Sequence, residues 1–590
     1  MVKKAHVLSS ISLCAFLLCS CNFFPKKNPG QDKPHEHTYV LINAKEASFY
    51  EDGSSQHYIC SGCNKTFDMN KVEKNSSEFI TRIPLFETLN RKDPISLKGK
   101  EFSVVFNESE VQSNIDEGIA LAEKIDQKKY YSSAEVQNFS NKNNSLRESA
   151  AINSNYADLL ADFNANSEGY DLKNKIESAK TNLKNVYYKV FVAVAKEGRY
   201  NNIFFASYDD QALQKFINDH SSNGGGTGQQ EQTTQQKIDT LLNNYKAGRI
   251  DRYSALSQYV GLAKQLASEK NKASYLDLAY EQNGREYTVS QADQLSSLVK
   301  TYIKPLAQTL LTKYNEAKQN NMNSQGERDL KNHFFGENMD LLRNYAKNLG
   351  EPYKSNFQNF FEEGHYFFSN IVNNNVTGYT AYSQPLGRYV FLSKNYQDLM
   401  TLTHEFGHYN AQEVYGSGAD LDLSEVQSNG NEIMLLSYMK NHSEIDENVL
   451  KTFTYDHLFG VANTVLLGCA VNEFEKYIYN NDFDEQSMEA KWLEIVDDYG
   501  ASIGRDKFDY LYQVVLNYRG YYISYAVSSV AALELYQKGI ENFDEAAQSY
   551  KSIYTKDSTG EKLNLSLENA RLGGVFETSS YTKLSQLGNI

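Results

Sequence analysis

The segment Thr401–Val414 reads TLTHEFGHYNAQEV. On a helix, residues four apart stand one turn apart on one face, so His404 and His408 can direct two imidazoles at one point, as zinc binding requires. Glu405 then sits beside that point. A carboxylate there can accept a proton from a water that the metal has acidified and later hand it to a leaving amine. That is the chemistry of hydrolysis, and the chain has only 11 histidines from which such a pattern could arise by chance. A catalytic zinc wants a third protein ligand and one open position. The stretch Ser424–Glu432, SEVQSNGNE, puts Glu425, Ser428, Asn429 and Glu432 on one helical stripe. Glu425 is therefore expected to complete the ligand set, ahead of Asp420, Asp422 and Glu413, which sit in a Gly-rich turn or on the motif helix itself. Glu432, two turns along, is expected to orient a ligating histidine.

These residues need a scaffold, and the surrounding sequence supplies its pieces. Val376–Ser393 (VTGYTAYSQPLGRYVFLS) has the β-branched and aromatic content of two strands around a Pro-Leu-Gly turn, and it leads straight into the motif helix. Beyond Glu425 the pattern is helical until a polar tail after Gly574. Upstream, residues 78–107 mix β-prone runs with turns, and helical patterning begins at Glu108. His220–Gln236 (HSSNGGGTGQQEQTTQQ) is too polar to order itself and reads as a flexible connector. Helical periodicity resumes at Lys237 and runs through Tyr314, with Ser290 as the expected N-cap of the helix carrying Leu295, Leu298 and Tyr302. His365, among Phe360, Phe361, Tyr366 and Phe367, reads as a core or lining residue, and His457 and Cys469 read as packing on an apolar helix. No nucleophile triad, phosphate loop or dinucleotide fingerprint is present. The fold class expected is mainly α, with a small β-sheet beside the motif helix.

At 590 residues the chain exceeds one ordinary core. Its formal net charge of −15, with no Lys/Arg run, excludes a nucleic-acid partner. Lys3 and Lys4 followed by the apolar stretch Val7–Leu18 read as an export signal, too short to span a bilayer. The ending Leu18-Cys19-Ser20-Cys21 resembles a bacterial lipobox, which makes Cys21 the lipid attachment point and the location extracytoplasmic, anchored to the cell membrane. A polar tether follows. Next come His35, His37 and His57 and the pair Cys60-Ser-Gly-Cys63. With His35 and His37 this pair could hold a second, structural metal ion, or it could equally form a disulfide. The organisation expected is a signal over 1–21, a tether over 22–34, a Cys/His module over 35–72, a mostly helical domain over 73–270 and a catalytic domain over 271–590.

The sequence around the motif resembles the thimet oligopeptidase-like metallopeptidases, in particular the oligoendopeptidase F branch. Arg388-Tyr-Val-Phe-Leu-Ser followed by Leu399-Met-Thr-Leu-Thr-His-Glu-Phe-Gly-His is similar to that family's strand, turn and active-site helix. Glu425-Val-Gln-Ser-Asn-Gly-Asn-Glu432, the helix with Phe459-Gly-Val-Ala-Asn-Thr-Val and Asn472-Glu-Phe-Glu475, and the tyrosine-rich Tyr518–Ser528 resemble later family segments. The likeness spans roughly Asn271–Leu572. It implies two helical lobes flanking a deep substrate channel, one catalytic zinc, and short oligopeptides as substrates. It also implies that Tyr518, Tyr522 and Tyr525 hydrogen-bond the substrate carbonyl or its oxyanion. The family usually has a histidine shortly before these tyrosines, and Asp509–Asn517 contains none. In this reading the strand Arg388–Leu392, beginning with Arg388 and Tyr389, adds main-chain hydrogen bonds to an extended peptide. The rival readings are a surface lipoprotein that keeps the scaffold and binds peptides or a partner without turnover, and a zinc peptidase with an open cleft acting on folded proteins.

Overall fold

The computed structural model describes residues 36–84, 104–164, 167–221, 233–246, 249–320, 326, 328, 330–331, 335–372, 376–383, 386–415, 420–442, 445–500, 508–553 and 562–589. The expected signal with Cys21, the tether, His35 and most of the polar connector lie outside these residues. The chain forms two compact units, Met1–Arg82 and Ile83–Ile590.

The first unit is β. Its strands are β1 (Tyr39–Ile42), β2 (Gly53–Ser54), β3 (His57–Cys60), β4 (Thr66–Phe67), β5 (Glu73–Lys74) and β6 (Ile80–Thr81). An antiparallel sheet runs in the order β1-β3-β4-β5, and β2 pairs with β6. The boundary expected at residue 72 therefore falls inside this unit, because β5 and β6 pair with strands that precede it.

The second unit is mainly helical. Helices α1 (Glu108–Asp126), α2 (Ser133–Asn164) and α3 (Ser167–Glu197) pack around Leu121, Ile125, Phe139, Val186 and Val190. The division expected at residue 270 does not divide the packing. Helix α4 (Arg252–Glu269) is tied to later sequence: Lys264 Nζ donates to the Asn481 carbonyl at 2.7 Å and Arg252 pairs with Asp509 at 2.7 Å. Helix α5 (Val289–Leu298) is capped by Thr288, not Ser290. Thr288 Oγ1 accepts from Gln291 N and Gln291 Oε1 accepts from Thr288 N, a reciprocal pair that leaves Ser290 inside the first turn. A π turn, Val299–Ile303, then joins α5 to α6 (Lys304–Asn320). Pro305, which cannot donate to the preceding turn, follows it at once.

The sheet beside the motif has three strands, β7 (Tyr366–Phe368), β8 (Gly378–Ser383) and β9 (Gly387–Leu392), in the order β7-β9-β8. β9 runs parallel to β7 and antiparallel to β8. The sequence pattern marks β8 and β9 but not β7, a fully buried Tyr-Phe-Phe run with no alternation to read. Leu159 of α2 packs on this sheet with Phe367, Leu386, Tyr389 and Phe391.

Five further helices form the part of the core around the motif: α7 (Leu399–Tyr415), α8 (Leu421–His442), α9 (Glu447–Asn480), α10 (Phe508–Asn517) and α11 (Ile523–Glu541). Asp398 starts α7 by accepting from the backbone of Met400 and Thr401, both at 3.0 Å. α8 packs against α7 and α11 and is buried on nearly every side, so its sequence shows no single apolar stripe. α7 and α8 approach closely at Gly407. A Cβ there would fall 2.6 Å from Ser428 Cα and 2.8 Å from the Gln427 carbonyl oxygen.

This packing gives opposite expectations for two glycine substitutions. Gly407→Ala drives a methyl into backbone and should lower the folding free energy by about 1–3 kcal/mol. Gly261, on the exposed face of α4, has nothing within 4 Å of its would-be Cβ. Gly261→Ala should therefore raise stability by about 0.5–1 kcal/mol through helix propensity. Denaturation midpoints moving in the same direction for both would contradict the close approach of α7 and α8.

Candidate active site

Helix α7 presents His404 and His408 with ring centroids 4.9 Å apart, and α8 brings Glu425 to them. Glu425 Oε2 lies 3.9 Å from His404 Nε2 and 3.8 Å from His408 Nε2. One atom from each residue can reach a single ion with bonds of about 2.0–2.2 Å, and two imidazoles with one carboxylate are a donor set zinc accepts. The other ring nitrogens are engaged on the far side. His404 Nδ1 is 2.6 Å from Glu432 Oε1, where a carboxylate can only accept, so Nδ1 carries a proton and Nε2 is the nitrogen left to bond an ion. His408 Nδ1 is 3.1 Å from Ser424 Oγ.

Glu432 does not touch the cavity point shared by the ligand atoms; it bridges two histidines. Its second oxygen faces His457 Nε2 at 3.2 Å, which corrects the reading of His457 as simple packing. Burial pushes the Glu432 carboxyl up, but His404 and His457 outweigh it and hold it at about 2. Burial likewise pushes His404 down, and the hydrogen bond and charge of Glu432, with Glu405 and Glu425, raise it to about 9. His408 has no such carboxylate on its Nδ1, and burial lowers it.

The rival ligands are used elsewhere. Asp422 pairs with Arg285 at 3.2 Å, both side chains essentially inaccessible. Asp420 caps α8 by accepting from the backbone of Asp422 and Leu423. The Glu413 side chain lies outside the described residues.

Glu405 is buried at the wall of the same cavity, outside the metal-binding trio. Thr380 Oγ1, on β8, stands 2.9 Å from its Oε2 and 2.7 Å from its backbone oxygen. The cavity encloses about 700 Å³ and is lined by His404, Glu405, His408 and Glu425, by Thr377–Thr380 of the β8 side, and by Tyr518, Tyr521 and Tyr525. This corrects the expectation for Arg388–Leu392. β9 is the central strand and both its edges are taken, whereas β8 is an edge strand bordering the cavity. Arg388 Nη1 donates to the Tyr409 carbonyl at 2.6 Å with its guanidinium over the Tyr409 ring, and Tyr389 is buried against Leu159 and Phe367. Neither lines the cavity. His365 meets the Tyr409 hydroxyl at 2.6 Å behind α7, in the aromatic packing.

Of the tyrosines, Tyr518 and Tyr525 line the cavity, and Tyr522 does not; it is buried beneath. Tyr521, absent from the sequence reading, is in its place. Its hydroxyl donates to Glu425 Oε1 at 2.7 Å, and burial, aided by Glu425, pushes its acidity far down, so it stays a donor. The resemblance does not place these side chains, because Tyr518–Tyr522 is a turn between α10 and α11, with Gly520 at φ +61. The turn is gripped from behind. Arg285 Nη2 donates to the Gly520 carbonyl at 2.7 Å and to Ser524 Oγ at 2.9 Å, and Gly520 N donates to Glu475 Oε1 at 2.9 Å. Arg285 stands in no motif, and Glu475 lies in the quoted Asn472–Glu475 segment without any sequence sign that it faces the tyrosine turn. Cys469 is buried, and burial pushes its thiol up to about 12. His37, Cys60 and Cys63 lie together in the first unit.

Sequence comparison finds no matching family model and no matching curated protein. Among solved structures, the chain is similar to PZ peptidase A with an inhibitor, at 15% identity and TM-score 0.51, over 83% of this chain and 98% of that one. It is also similar to a Bacillus anthracis protein described as an oligoendopeptidase F, at 16% identity and TM-score 0.50, over 83% and 97%. The fold, mainly helical with small sheets, is the one these two structures share.

Glu475 yields a pH prediction. Burial raises its carboxyl to about 8 from an ordinary 4.5, against the pull of Gly520 N–H and Arg285. The folded protein thus holds a proton that the unfolded chain releases, so this group's contribution to stability falls as pH rises from about 4.5 to about 8. Glu475→Gln keeps an acceptor for Gly520 and has no proton to lose. The Tm difference between variant and wild type should shift in the variant's favour across that window; a difference independent of pH would remove the assignment.

Proposed function

We propose that the protein is a zinc-dependent endopeptidase that hydrolyses short, unstructured oligopeptides at the extracytoplasmic membrane surface, held there by lipid on Cys21. The observation that carries this reading is a division of labour within one cavity. Three donor groups, His404, His408 and Glu425, converge on a point, and a different carboxylate, Glu405, stands beside them held by a threonine. The fold shared with PZ peptidase A and the Bacillus anthracis oligoendopeptidase supports peptides as the substrate class. The anchor rests on the lipobox-like sequence ending at Cys21. Among the described residues no helix is long and apolar enough to cross a membrane.

When bound, zinc supplies a Lewis acid that acidifies water and polarises a carbonyl. The residues do the rest. Glu405 accepts the proton of the attacking water at its carboxylate and delivers it to the leaving amine. Tyr518 and Tyr525 offer phenol donors to the carbonyl oxygen as its charge grows, while Tyr521 gives its single O–H to Glu425 and holds that carboxylate in place. Glu432 and Ser424 keep the two imidazoles turned with Nε2 inward. The edge of β8 offers an extended peptide main-chain partners, which fixes the scissile bond against Glu405 without reading side chains.

Glu405→Gln should retain metal and peptide affinity and lose about 10²–10⁴-fold in kcat, because the amide cannot take the proton. His404→Ala or His408→Ala should lose the metal with helical content retained. Tyr525→Phe should cut kcat more than it raises KM, by about 10²-fold if it is the oxyanion donor. Cys21→Ala should release the protein from membranes. If the metal-loaded wild type binds peptides and cleaves none, and Glu405→Gln behaves identically, a peptide-binding lipoprotein replaces the peptidase.

A further inference from the structure

The first unit is poor in core. Among residues 36–82 the buried apolar side chains are Phe49, Cys60, Phe67 and Phe79, while Val40, Leu41, Met69, Val72 and Ile80 are exposed. A unit of this size rarely holds together on packing alone and usually carries a disulfide or a metal. Neither Cys60 nor Cys63 is in a disulfide, and Cys60 is fully buried.

The backbone around them forms a tight knuckle. Cys60 ends β3, its N–H donates to the Lys65 carbonyl at 2.9 Å, and Asn64 N donates back to the Cys60 carbonyl at 2.8 Å. Asn64 takes the left-handed conformation, φ +57, that closes the turn and leaves both thiols on one side. Ser61 N donates to the Thr38 carbonyl at 3.0 Å, and Tyr39 pairs with Cys60, so the strand register carries His37 to the knuckle. Cys63 Sγ and His37 Nδ1 are 3.5 Å apart, and the three donor atoms lie within 4.8 Å of one another. Tetrahedral zinc with bonds of about 2.0–2.3 Å separates its donors by about 3.4–3.8 Å, the spacing of this pair. His57 is not part of the set: its Nδ1 faces the Ser55 carbonyl at 2.8 Å and its ring stacks on Phe79.

We infer that His37, Cys60 and Cys63 bind a structural zinc ion that staples the first unit, separate from any ion in the large cavity. Two thiolates and an imidazole are a soft donor set suited to zinc, with one further donor completing four-coordination. Binding displaces two thiol protons. The ligands belong to a different unit from His404, His408 and Glu425, so the inference stands or falls independently of the peptidase reading.

The test uses the full-length chain and zinc or cobalt alone. Metal analysis should find one zinc fewer in Cys60→Ser/Cys63→Ser and in His37→Ala than in wild type, with peptide hydrolysis unchanged. Cobalt-substituted wild type should show thiolate-to-cobalt charge-transfer absorption, retained in His404→Ala and lost in Cys60→Ser/Cys63→Ser. Because this absorption is read on wild type and on His404→Ala, misfolding of the cysteine variant does not blunt the test, and a failed cavity site is told apart from a failed knuckle. Absence of the absorption in wild type, full zinc retention by His37→Ala, or a Cys60–Cys63 disulfide found by mass analysis of the non-reduced chain would each overturn the inference.

Discussion

At Gly407 the backbones of α7 and α8 come so near that no side chain fits between them, and the geometry of the candidate site is set by that approach. The two histidines stand on either side of this glycine, and Glu425 stands on α8 just before the Gln427–Ser428 backbone that it faces. A spacer of even one methyl would move both imidazoles relative to Glu425, whose oxygen now lies 3.8–3.9 Å from each. Polar contacts fix the sliding direction as well. Asn431 Nδ2 donates to the Thr403 carbonyl at 2.6 Å, and its Oδ1 accepts from the hydroxyls of Tyr345 and Tyr353, both at 2.7 Å. A buried amide satisfied on both ends has one register only, since any shift leaves a buried polar group unpaired.

The same logic holds the opposite wall. Arg285 and Glu475 pair with the carbonyl and N–H of Gly520 in the tyrosine turn, and α9 comes close behind it: a Cβ on Gly468 would fall 2.7 Å from the Tyr522 carbonyl oxygen. Arg285 is in turn compensated by Asp422, the residue that α8 places at its first turn. The helix that delivers Glu425 thus also anchors the arginine that positions Tyr521, which closes on Glu425. Ligand and phenol are fixed relative to each other through one element.

What could be read from the sequence follows from how local each feature is. His404, Glu405 and His408 are spaced by one helical turn, so the helix alone brings them together, and Glu425 with Glu432 needs only a second helix. β8 and β9 are a local hairpin with a turn signal. Features that failed are those set by tertiary context. Strand β7 joins β9 from elsewhere in the chain, which makes β9 central and turns Arg388 and Tyr389 into packing residues. The resemblance that points to Tyr522 and not Tyr521 carries no information on how the turn at Gly520 swings neighbouring side chains. Thr288 outranks Ser290 as a cap only because Gln291 bonds back to it, a distinction that both hydroxyl residues obscure in sequence.

Three glutamates near the α7–α8 contact show how one residue type acquires three environments. Glu432 lies between two histidines, its charge is matched, and its carboxyl is held near 2. Glu405 has a threonine hydroxyl on one side and the open cavity on the other, with no histidine bound to it among the described residues. Glu425 receives the Tyr521 hydroxyl on one oxygen and points the other at two imidazole nitrogens. That second oxygen lies 3.8–3.9 Å from both imidazole nitrogens, close enough for one ion to bond to all three and too far for direct hydrogen bonds. A divalent cation at the common point answers all three donors at once, which is why the proposed zinc belongs between His404, His408 and Glu425 and not beside Glu405 or Glu432.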